Sequence, residues 1–335
     1  MEHAIADIDT VYAAGIRGQS PVLHRIEAKD AHMQWTFDSR ADIARAHWPT
    51  AALNVVMYVD DGVYVMDSQS GTHRSAELDC WGPTLADDSR YYLANTWQEE
   101  GPGLFAGAYD PRALPLWKTD KFSAKGIVIP DENGIALDGG TLFHAANYRF
   151  PKYAYLTALD PETGAVKWKS ATVPDSAPSA GGGRVYMVER LPKKEHESVL
   201  VARSQNDGNV VWSTPVEDAR VAAPVVAGRL VIVHSVVGVL AFDAQTGEPA
   251  WSVAILRTRS ASRNATSLAA ATGSGALLVT AGGQLHVLEL TTGRVRWSGA
   301  PLENAKDVHS PVIAGGVAYV VADGTLVRLE STPLE

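Results

Sequence analysis

Two histidines stand at matching places in a short segment that recurs along the chain. His47 opens the segment HWPT, and His309 opens the segment HSPV. An imidazole changes its charge near neutral pH, so it can both give and take a proton. If the fold brings these segments together, His47 and His309 predict an acid–base pair acting on a bound small molecule. The related segments are WGPT at 81–84, SAPS at 176–179, AAPV at 222–225 and NATS at 264–267.

The same segments and their neighbours carry further groups that suit ligand binding. Cations and amides would hold an anionic or polar ligand, and indole rings would cover its apolar part. The alternative is that these groups only hydrogen-bond loop backbone, which needs polar partners wherever it is buried. No metal site is predicted, because the histidine spacing is not that of metal ligands. The predicted ligand-binding residues are Trp48, Trp81, Lys125, Asp175, Ser176, Arg263, Asn264 and Asp307.

An internal repeat defines the elements that would position these groups. Its clearest unit is LDPETGAVKW at 159–168, which recurs as FDAQTGEPAW at 242–251 and LELTTGRVRW at 288–297. An alternating apolar strand precedes each unit. Asp and Thr can hydrogen-bond the backbone of a tight turn, and the glycine supplies a positive φ. The Trp then lies on the returning strand, where its ring can fill the space between neighbouring sheets.

The spacing of the motif tryptophans predicts the architecture. An interval of about 40–50 residues is that of a propeller blade with four antiparallel strands. We therefore predict an all-β, eight-bladed β-propeller of four-stranded antiparallel blades, forming a single domain over 1–335. The last copy supplies only three strands, so seven blades plus an irregular terminal segment is the alternative. The tryptophans are Trp35, Trp117, Trp168, Trp212, Trp251 and Trp297. The predicted blades lie roughly at 3–37, 47–77, 82–118, 134–169, 176–214, 222–253, 266–298 and 310–330.

In a propeller, the first strand of every blade lines the central axis. The HWPT-type segments precede these strands, so they would ring one mouth of the central funnel. Concave sites with a few converging polar groups are where proteins bind small ligands. The sequence therefore predicts a small molecule or a protein as the partner at this mouth.

The DxETGxxxW units and the segment APVVAG at 223–228 together resemble the PQQ-like propeller repeat with its tryptophan-docking motif. That repeat occurs in quinoprotein alcohol dehydrogenases, in the lipoprotein scaffold of the outer-membrane barrel-assembly machine and in domains of some bacterial serine/threonine kinases. The resemblance covers nearly the whole chain and is strongest over 150–330. It implies the fold and leaves the function open, because one fold hosts many functions.

The resemblance implies PQQ binding only where the cofactor residues are present. In the quinoprotein dehydrogenases a vicinal cysteine pair stacks on the cofactor, and an acidic set holds calcium. This chain has one cysteine, Cys80, so no cofactor is predicted. We expect a ligand- or partner-binding scaffold that uses its funnel and loops. The alternative is a cofactor-independent lyase, cyclase or hydrolase that uses the mouth histidines, and the sequence does not decide between scaffold and enzyme.

Composition excludes several classes of partner. The formal charge is −9, with 29 Lys and Arg against 38 Asp and Glu, so no nucleic-acid partner is expected. No apolar window reaches the roughly 18 residues that a membrane span needs. The start MEHAIADIDT lacks the basic and apolar regions of a secretory signal. We therefore expect a cytoplasmic bacterial protein as written, or a periplasmic or extracellular one if a signal was removed.

Overall fold

The fold consists of short antiparallel strands, described here from a computed structural model. Each sheet is a meander in which neighbouring strands follow one another in the chain. The structure describes residues 3–7, 9–17, 20–38, 50–52, 55–59, 63–76, 84–96, 103–112, 114–119, 122–123, 134–146, 154–191, 197–217, 223–255, 268–271, 275–281, 283–306 and 308–329.

The first four sheets are named blades 1 to 4. Blade 1 contains β1 (His3–Asp7), β2 (Thr10–Arg17), β3 (Ser20–Glu27) and β4 (Met33–Asp38). Blade 2 contains β5 (Thr50–Ala52), β6 (Val55–Val59), β7 (Val63–Asp67) and β8 (His73–Ala76). Blade 3 contains β9 (Thr84–Ala86), β10 (Tyr91–Thr96), β11 (Gly103–Tyr109) and β12 (Pro115–Lys118), with the short β13 (Phe122–Ser123) also paired to β11. Blade 4 contains β14 (Gly134–Asp138), β15 (Thr141–Ala146), β16 (Tyr155–Leu159) and β17 (Val166–Ala171).

Three further blades and one shorter sheet follow among the described residues. Blade 5 contains β18 (Ser179–Gly181), β19 (Arg184–Arg190), β20 (Glu197–Ser204) and β21 (Val210–Glu217). Blade 6 contains β22 (Val225–Ala227), β23 (Leu230–Ser235), β24 (Gly238–Asp243) and β25 (Pro249–Val253). Blade 7 contains β26 (Leu268–Ala271), β27 (Ala276–Ala281), β28 (Gln284–Glu289) and β29 (Val295–Gly299). The terminal sheet contains β30 (Val308–Ala314), β31 (Val317–Ala322) and β32 (Thr325–Arg328).

The sheets form a closed ring. The first strand of each sheet contacts the first strand of the next, and β30 contacts β1. The prediction of eight four-stranded blades is wrong. Seven blades have the four-stranded meander, and the described part of the C-terminal segment forms a three-stranded sheet. The alternative of seven blades plus a terminal segment is closer, although that segment is a regular sheet that takes its place in the ring.

The core lies between neighbouring sheets. Strands in the middle of a blade are covered on both faces, and all six residues of β15 are buried. The outer strand β17 instead alternates between exposed and half-buried residues, as expected for a strand with one face toward solvent. Each apolar cluster joins two adjacent sheets; for example, Leu200 and Val231 belong to one cluster across blades 5 and 6. Stability therefore depends on contacts between blades.

The repeated turns have the geometry that the sequence predicts. In blade 4, the Asp160 carboxylate accepts hydrogen bonds from the backbone N–H groups of Glu162 and Thr163 and from the Thr163 hydroxyl. The Thr163 hydroxyl is the main cause that holds the pKa of Asp160 below its usual value, with help from the backbone donors. Gly164 has a φ of +72°, which confirms the predicted left-handed glycine.

The motif tryptophans join each blade to the next one. Trp168 in blade 4 donates its indole N–H to the carbonyl of Gln205 in blade 5 at 2.8 Å. Its ring lies against Gly208, where an added Cβ would stand 2.6 Å from the ring. Trp297 differs, since it lies next to the three-stranded terminal sheet and is 36% exposed. The packing role is thus confirmed for five tryptophans, and the other four indole-to-carbonyl pairs are Trp35–Ser68, Trp117–Pro161, Trp212–Ala244 and Trp251–Leu290.

The terminal sheet is joined to blade 1 by a different pair of side chains. Tyr319 on β31 is buried and donates its hydroxyl to the carbonyl of Ala28 at 2.5 Å. Arg328 on β32 donates to the carbonyl of Lys29 at 3.0 Å. Ala28 follows Glu27 as Ala244 follows Asp243, so its carbonyl is at the position that accepts a tryptophan indole in other blades. A tyrosine and an arginine thus replace the tryptophan at the point where the ring closes.

We expect Tyr319→Phe to lower the free energy of unfolding by about 1–3 kcal/mol, the cost of leaving a buried carbonyl without its donor. Tyr186→Phe is the matched control. The Tyr186 hydroxyl donates to the Ala244 carbonyl, which also accepts from Trp212 and Arg184. Removing the Tyr186 hydroxyl should therefore lower the free energy of unfolding by less, about 0.5–1.5 kcal/mol. Denaturant titrations of both variants measure the difference, and equal losses would contradict a special closing role for Tyr319.

Candidate functional site

The mouth of the ring is the end where the last strand of one blade connects to the first strand of the next. Most of the predicted site residues fall in these connections, outside the described residues: His47, Trp48, Trp81, Lys125, Arg263, Asn264 and Asp307. The backbone of His309 lies on β30 in the terminal sheet. The proposed acid–base pair of His47 and His309 therefore stays a prediction.

Asp175 and Ser176 are described, and both are buried in the connection between blades 4 and 5. One carboxylate oxygen of Asp175 pairs with the Arg190 guanidinium, and the other accepts from the Ser198 hydroxyl at 3.0 Å. The Ser176 hydroxyl donates to the carbonyl of Ala177 and accepts from the backbone N–H of Val188.

These bonds fix the connection against the end of β19. The backbone N–H of Asp175 donates to Val188 and that of Arg190 donates to Val173, which extends the antiparallel pairing beyond β18. Asp175 and Ser176 therefore hold the connection between blades 4 and 5 in place against β19. This is the hydrogen-bonding role that the sequence left as an alternative to ligand contact. Arg190, whose side chain is 35% exposed, reaches the surface beside them.

A second polar cluster lies in a cleft between blades 3 and 4, and no sequence pattern predicts it. His144 on β15, Thr157 on β16 and Lys169 on β17 occupy one cross-strand row. The Lys169 ammonium stands 3.7 Å from the centre of the Tyr155 ring, within the range of a cation–π contact. Thr119 of blade 3 lines the cleft from the opposite side. The cleft has a volume of about 120 Å³.

Burial shifts the pKa values of three groups in this cluster. Burial lowers the pKa of His144 to about 4, and the Lys169 charge acts in the same direction. Burial raises the pKa of the Tyr155 hydroxyl and lowers that of the Lys169 ammonium. His144 is therefore neutral at pH 7 and can donate one hydrogen bond and accept another. A cation and a neutral imidazole at one cleft can bind an anionic group.

His144 should make stability fall in acid. The unfolded state takes up a proton near pH 6.5, whereas folded His144 stays neutral until about pH 4. Its contribution is complete above pH 6.5 and is lost as the pH falls toward 4, where the loss reaches about 3 kcal/mol. Replacing His144 by valine should remove this part of the pH dependence. Denaturant titrations from pH 7.5 to 4 test this, and parallel curves for both proteins would contradict it.

Two absences hold for the part of the chain that the structure describes. No three His, Cys, Asp or Glu side chains come close enough together there to hold a metal ion. Those residues also include no helix long and apolar enough to cross a membrane.

The comparisons with known proteins agree with the repeat and with the ring. A family model described as "Outer membrane protein assembly factor BamB" matches residues 106–265 and 238–333, more than half of the chain. The chain belongs to this family. A BamB from Yersinia pestis is 25% identical over 242 residues, which cover 68% of this chain and 56% of the relative. The chain thus matches little more than half the length of that BamB.

Two solved structures show the same fold. The BamB structure from Moraxella catarrhalis superposes with a TM-score of 0.67 at 16% identity, covering 97% of this chain and 92% of that one. A quinohemoprotein alcohol dehydrogenase, ADHIIG from Pseudomonas putida, superposes with a TM-score of 0.66 at 13% identity, covering 95% and 69%. Propellers of the BamB type and of the quinoprotein type therefore share this architecture, as the PQQ-like repeat indicates.

The donor groups of this chain do not fit PQQ in the way the dehydrogenases hold it. Cys80 is the one cysteine of the sequence, so no vicinal cysteine pair can stack on the cofactor. The Asp carboxylates of the repeated turns accept hydrogen bonds from backbone N–H groups of the same turn, as at Asp160 and Asp243. The likeness to the dehydrogenase is therefore a likeness of fold.

Proposed function

We propose that this BamB-type propeller is a periplasmic scaffold that binds a partner protein of outer-membrane assembly through the loops of its mouth. The observation that carries the proposal is the match to the BamB family over residues 106–265 and 238–333. The relative from Yersinia pestis is itself named an outer membrane protein assembly factor. This relationship supports the periplasmic alternative and gives no support to the cytoplasmic location expected from the N-terminus.

The physical properties of the ring suit a scaffold. Indole-to-carbonyl hydrogen bonds between neighbouring blades hold the sheets together, so that loops at the mouth can vary in sequence without loss of the fold. The Asp175–Arg190–Ser198 network fixes one such loop in place. A loop held in one conformation loses little entropy when it binds a partner.

The predicted mouth residues are the proposed contact surface. Indole and guanidinium groups are the commonest anchors of protein interfaces, and the mouth segments supply Trp48, Trp81 and Arg263. Lys125, Asn264, Asp307, His47 and His309 would provide the polar rim. Asp175 and Ser176 would position the loop and make no direct contact with the partner.

Site-directed photo-crosslinking in cells tests the location of the partner surface. A photoreactive phenylalanine analogue replaces Trp48 or Trp81 at the mouth, and Asn206 or Gln245 in the exposed turns at the opposite end serves as control. We expect an outer-membrane assembly protein to be captured from the mouth positions and not from the turns. Capture only from the turns, or the same products from both ends, would overturn the proposal.

The double variant His47→Ala/His309→Ala tests whether the mouth instead holds a small molecule. Native mass spectrometry of the protein purified from its own cells would compare the variant with wild type. For a scaffold, we expect no compound that wild type carries and the variant loses. A compound lost only from the variant would favour the acid–base enzyme of the sequence analysis. Equal capture of partner protein by both forms would leave the histidines outside the contact surface.

A further inference from the structure

We propose that the cleft between blades 3 and 4 is a binding site for a small carboxylate, held by Lys169 and His144. The cleft contains none of the residues predicted to bind at the mouth, and the proposal does not depend on the scaffold function. The repeat provides an internal reference for every strand position in a blade.

His144 occupies a position that is apolar in the other blades. The pairing registers align His144 with Thr157 and Lys169, next to the strand position of Trp168. At the matching place of the second strand, six other blades have the apolar residues Ala13, Val59, Leu93, Met187, Val233 and Val279. His144, which is 3% exposed, thus occupies a buried position that is filled by an apolar side chain in the other six blades.

The groups around His144 suit a carboxylate with a short apolar tail. The ammonium of Lys169 and an imidazole N–H can both donate to carboxylate oxygens, and charge-assisted hydrogen bonds of this kind are the strong ones. Thr157 adds a hydroxyl in the same row. Leu159 and Val166 line the remainder of the cleft, so an aliphatic tail would meet apolar atoms there.

The size of the cleft limits the ligand. A cavity of about 150 Å³ accepts a benzene molecule, and this cleft measures about 120 Å³. It therefore has room for about five non-hydrogen atoms by that comparison. Butyrate is close to this size, and the carboxylate end of an aspartate side chain from a protein partner is smaller. One carboxylate chemistry could thus come from a free acid or from a peptide.

Blade 3 contains a matched control for Lys169. Lys118 stands at the same position of its outer strand, paired with Gly107 and lying 5.6 Å from the centre of the Tyr109 ring. The second-strand residue of that row is Leu93 in place of a histidine. A site that needs both the ammonium and the imidazole should therefore exist at Lys169 and not at Lys118.

The test uses the lysine signals themselves. Reductive methylation with ¹³C-formaldehyde gives each lysine an NMR signal, and the variants Lys169→Met and Lys118→Met assign the two signals of interest. We expect butyrate to shift the Lys169 signal with saturation in the millimolar range and to leave Lys118 unchanged. Butyramide, which has the same shape without the charge, should shift neither. Equal, unsaturated shifts of both signals, or no shift at all, would overturn the proposal.

The variant His144→Val separates binding from packing. Valine stands at this position in blades 6 and 7 as Val233 and Val279, so we expect the variant to fold. A thermal unfolding curve of the variant checks this. We expect its affinity for butyrate to fall at least tenfold, and unchanged affinity would remove His144 from the site and overturn the proposal. A titration with N-acetylaspartyl amide distinguishes the sources, because stronger binding of this compound than of butyrate assigns the site to a peptide carboxylate.

Discussion

Replacing Arg203 by methionine is expected to lower the free energy of unfolding by about 3–5 kcal/mol, the range for a buried ion pair that loses one partner. The Arg203 guanidinium forms two hydrogen bonds with the Glu189 carboxylate, at 2.9 and 3.0 Å, and each side chain is 11% exposed. A third bond reaches the carbonyl of Gly208, the glycine that packs on Trp168. The substitution leaves a buried carboxylate without its cation and loosens a contact between blades 4 and 5.

Two further variants show whether the loss of stability depends on the burial of the ion pair. Arg229→Met breaks a pair with Asp243 in which the Arg229 side chain is 84% exposed, so it should cost no more than about 1 kcal/mol. The double variant Arg203→Met/Glu189→Leu removes both buried charges and should recover much of the loss. Guanidinium titrations at pH 7 measure all three proteins. A loss at Arg203 as small as that at Arg229 would show that the buried pair contributes little.

Replacing Gly164 by alanine is expected to cost about 2–5 kcal/mol, because a left-handed backbone and a close contact act together. Gly164 has a φ of +72°, and an added Cβ would stand 2.5 Å from the Trp117 ring. The ring would have to move away from blade 4. That movement would strain the 2.9 Å hydrogen bond from the Trp117 indole to the Pro161 carbonyl.

Gly140 provides the matched control in the same blade. Its φ is +69°, and nothing lies within 4 Å of the added Cβ. Gly140→Ala should therefore cost only the backbone term of about 1–2 kcal/mol. Denaturant titrations give the two losses, and the indole N–H signal of Trp117 in NMR spectra should shift only in Gly164→Ala. Equal losses with an unmoved indole signal would contradict the role of close approach.

Local chemistry explains why the blade motif could be interpreted from the sequence. The Asp, Thr and Gly of LDPETG act within a single turn, so their types and spacing predict the turn without knowledge of the rest of the fold. The tryptophan is also predictable, because a large ring on a returning strand needs a neighbouring sheet to cover it. These signals recur along the chain, and the period identifies a propeller.

The mouth was predictable only in outline. The HWPT-type segments mark the connections into first strands, and chain order alone brings these to one end of the ring. Asp175 and Ser176 were predicted to bind a ligand; both make hydrogen bonds within the protein, and their contact with a ligand stays a prediction. Their partners Arg190, Ser198 and Val188 come from other strands, so residue type at Asp175 could not distinguish the two roles.

The all-β class, the repeat, the packing role of five motif tryptophans and the lack of a cysteine pair in the sequence can be predicted from residue types and their spacing. How the ring closes and which polar groups meet depend on the tertiary structure. Tyr319 and Ala28 are almost a full chain length apart, and Thr119 reaches the His144–Lys169 row only because blade 3 packs on blade 4. Such pairs are set by the angle and register between sheets, and those depend on the packing of the whole ring.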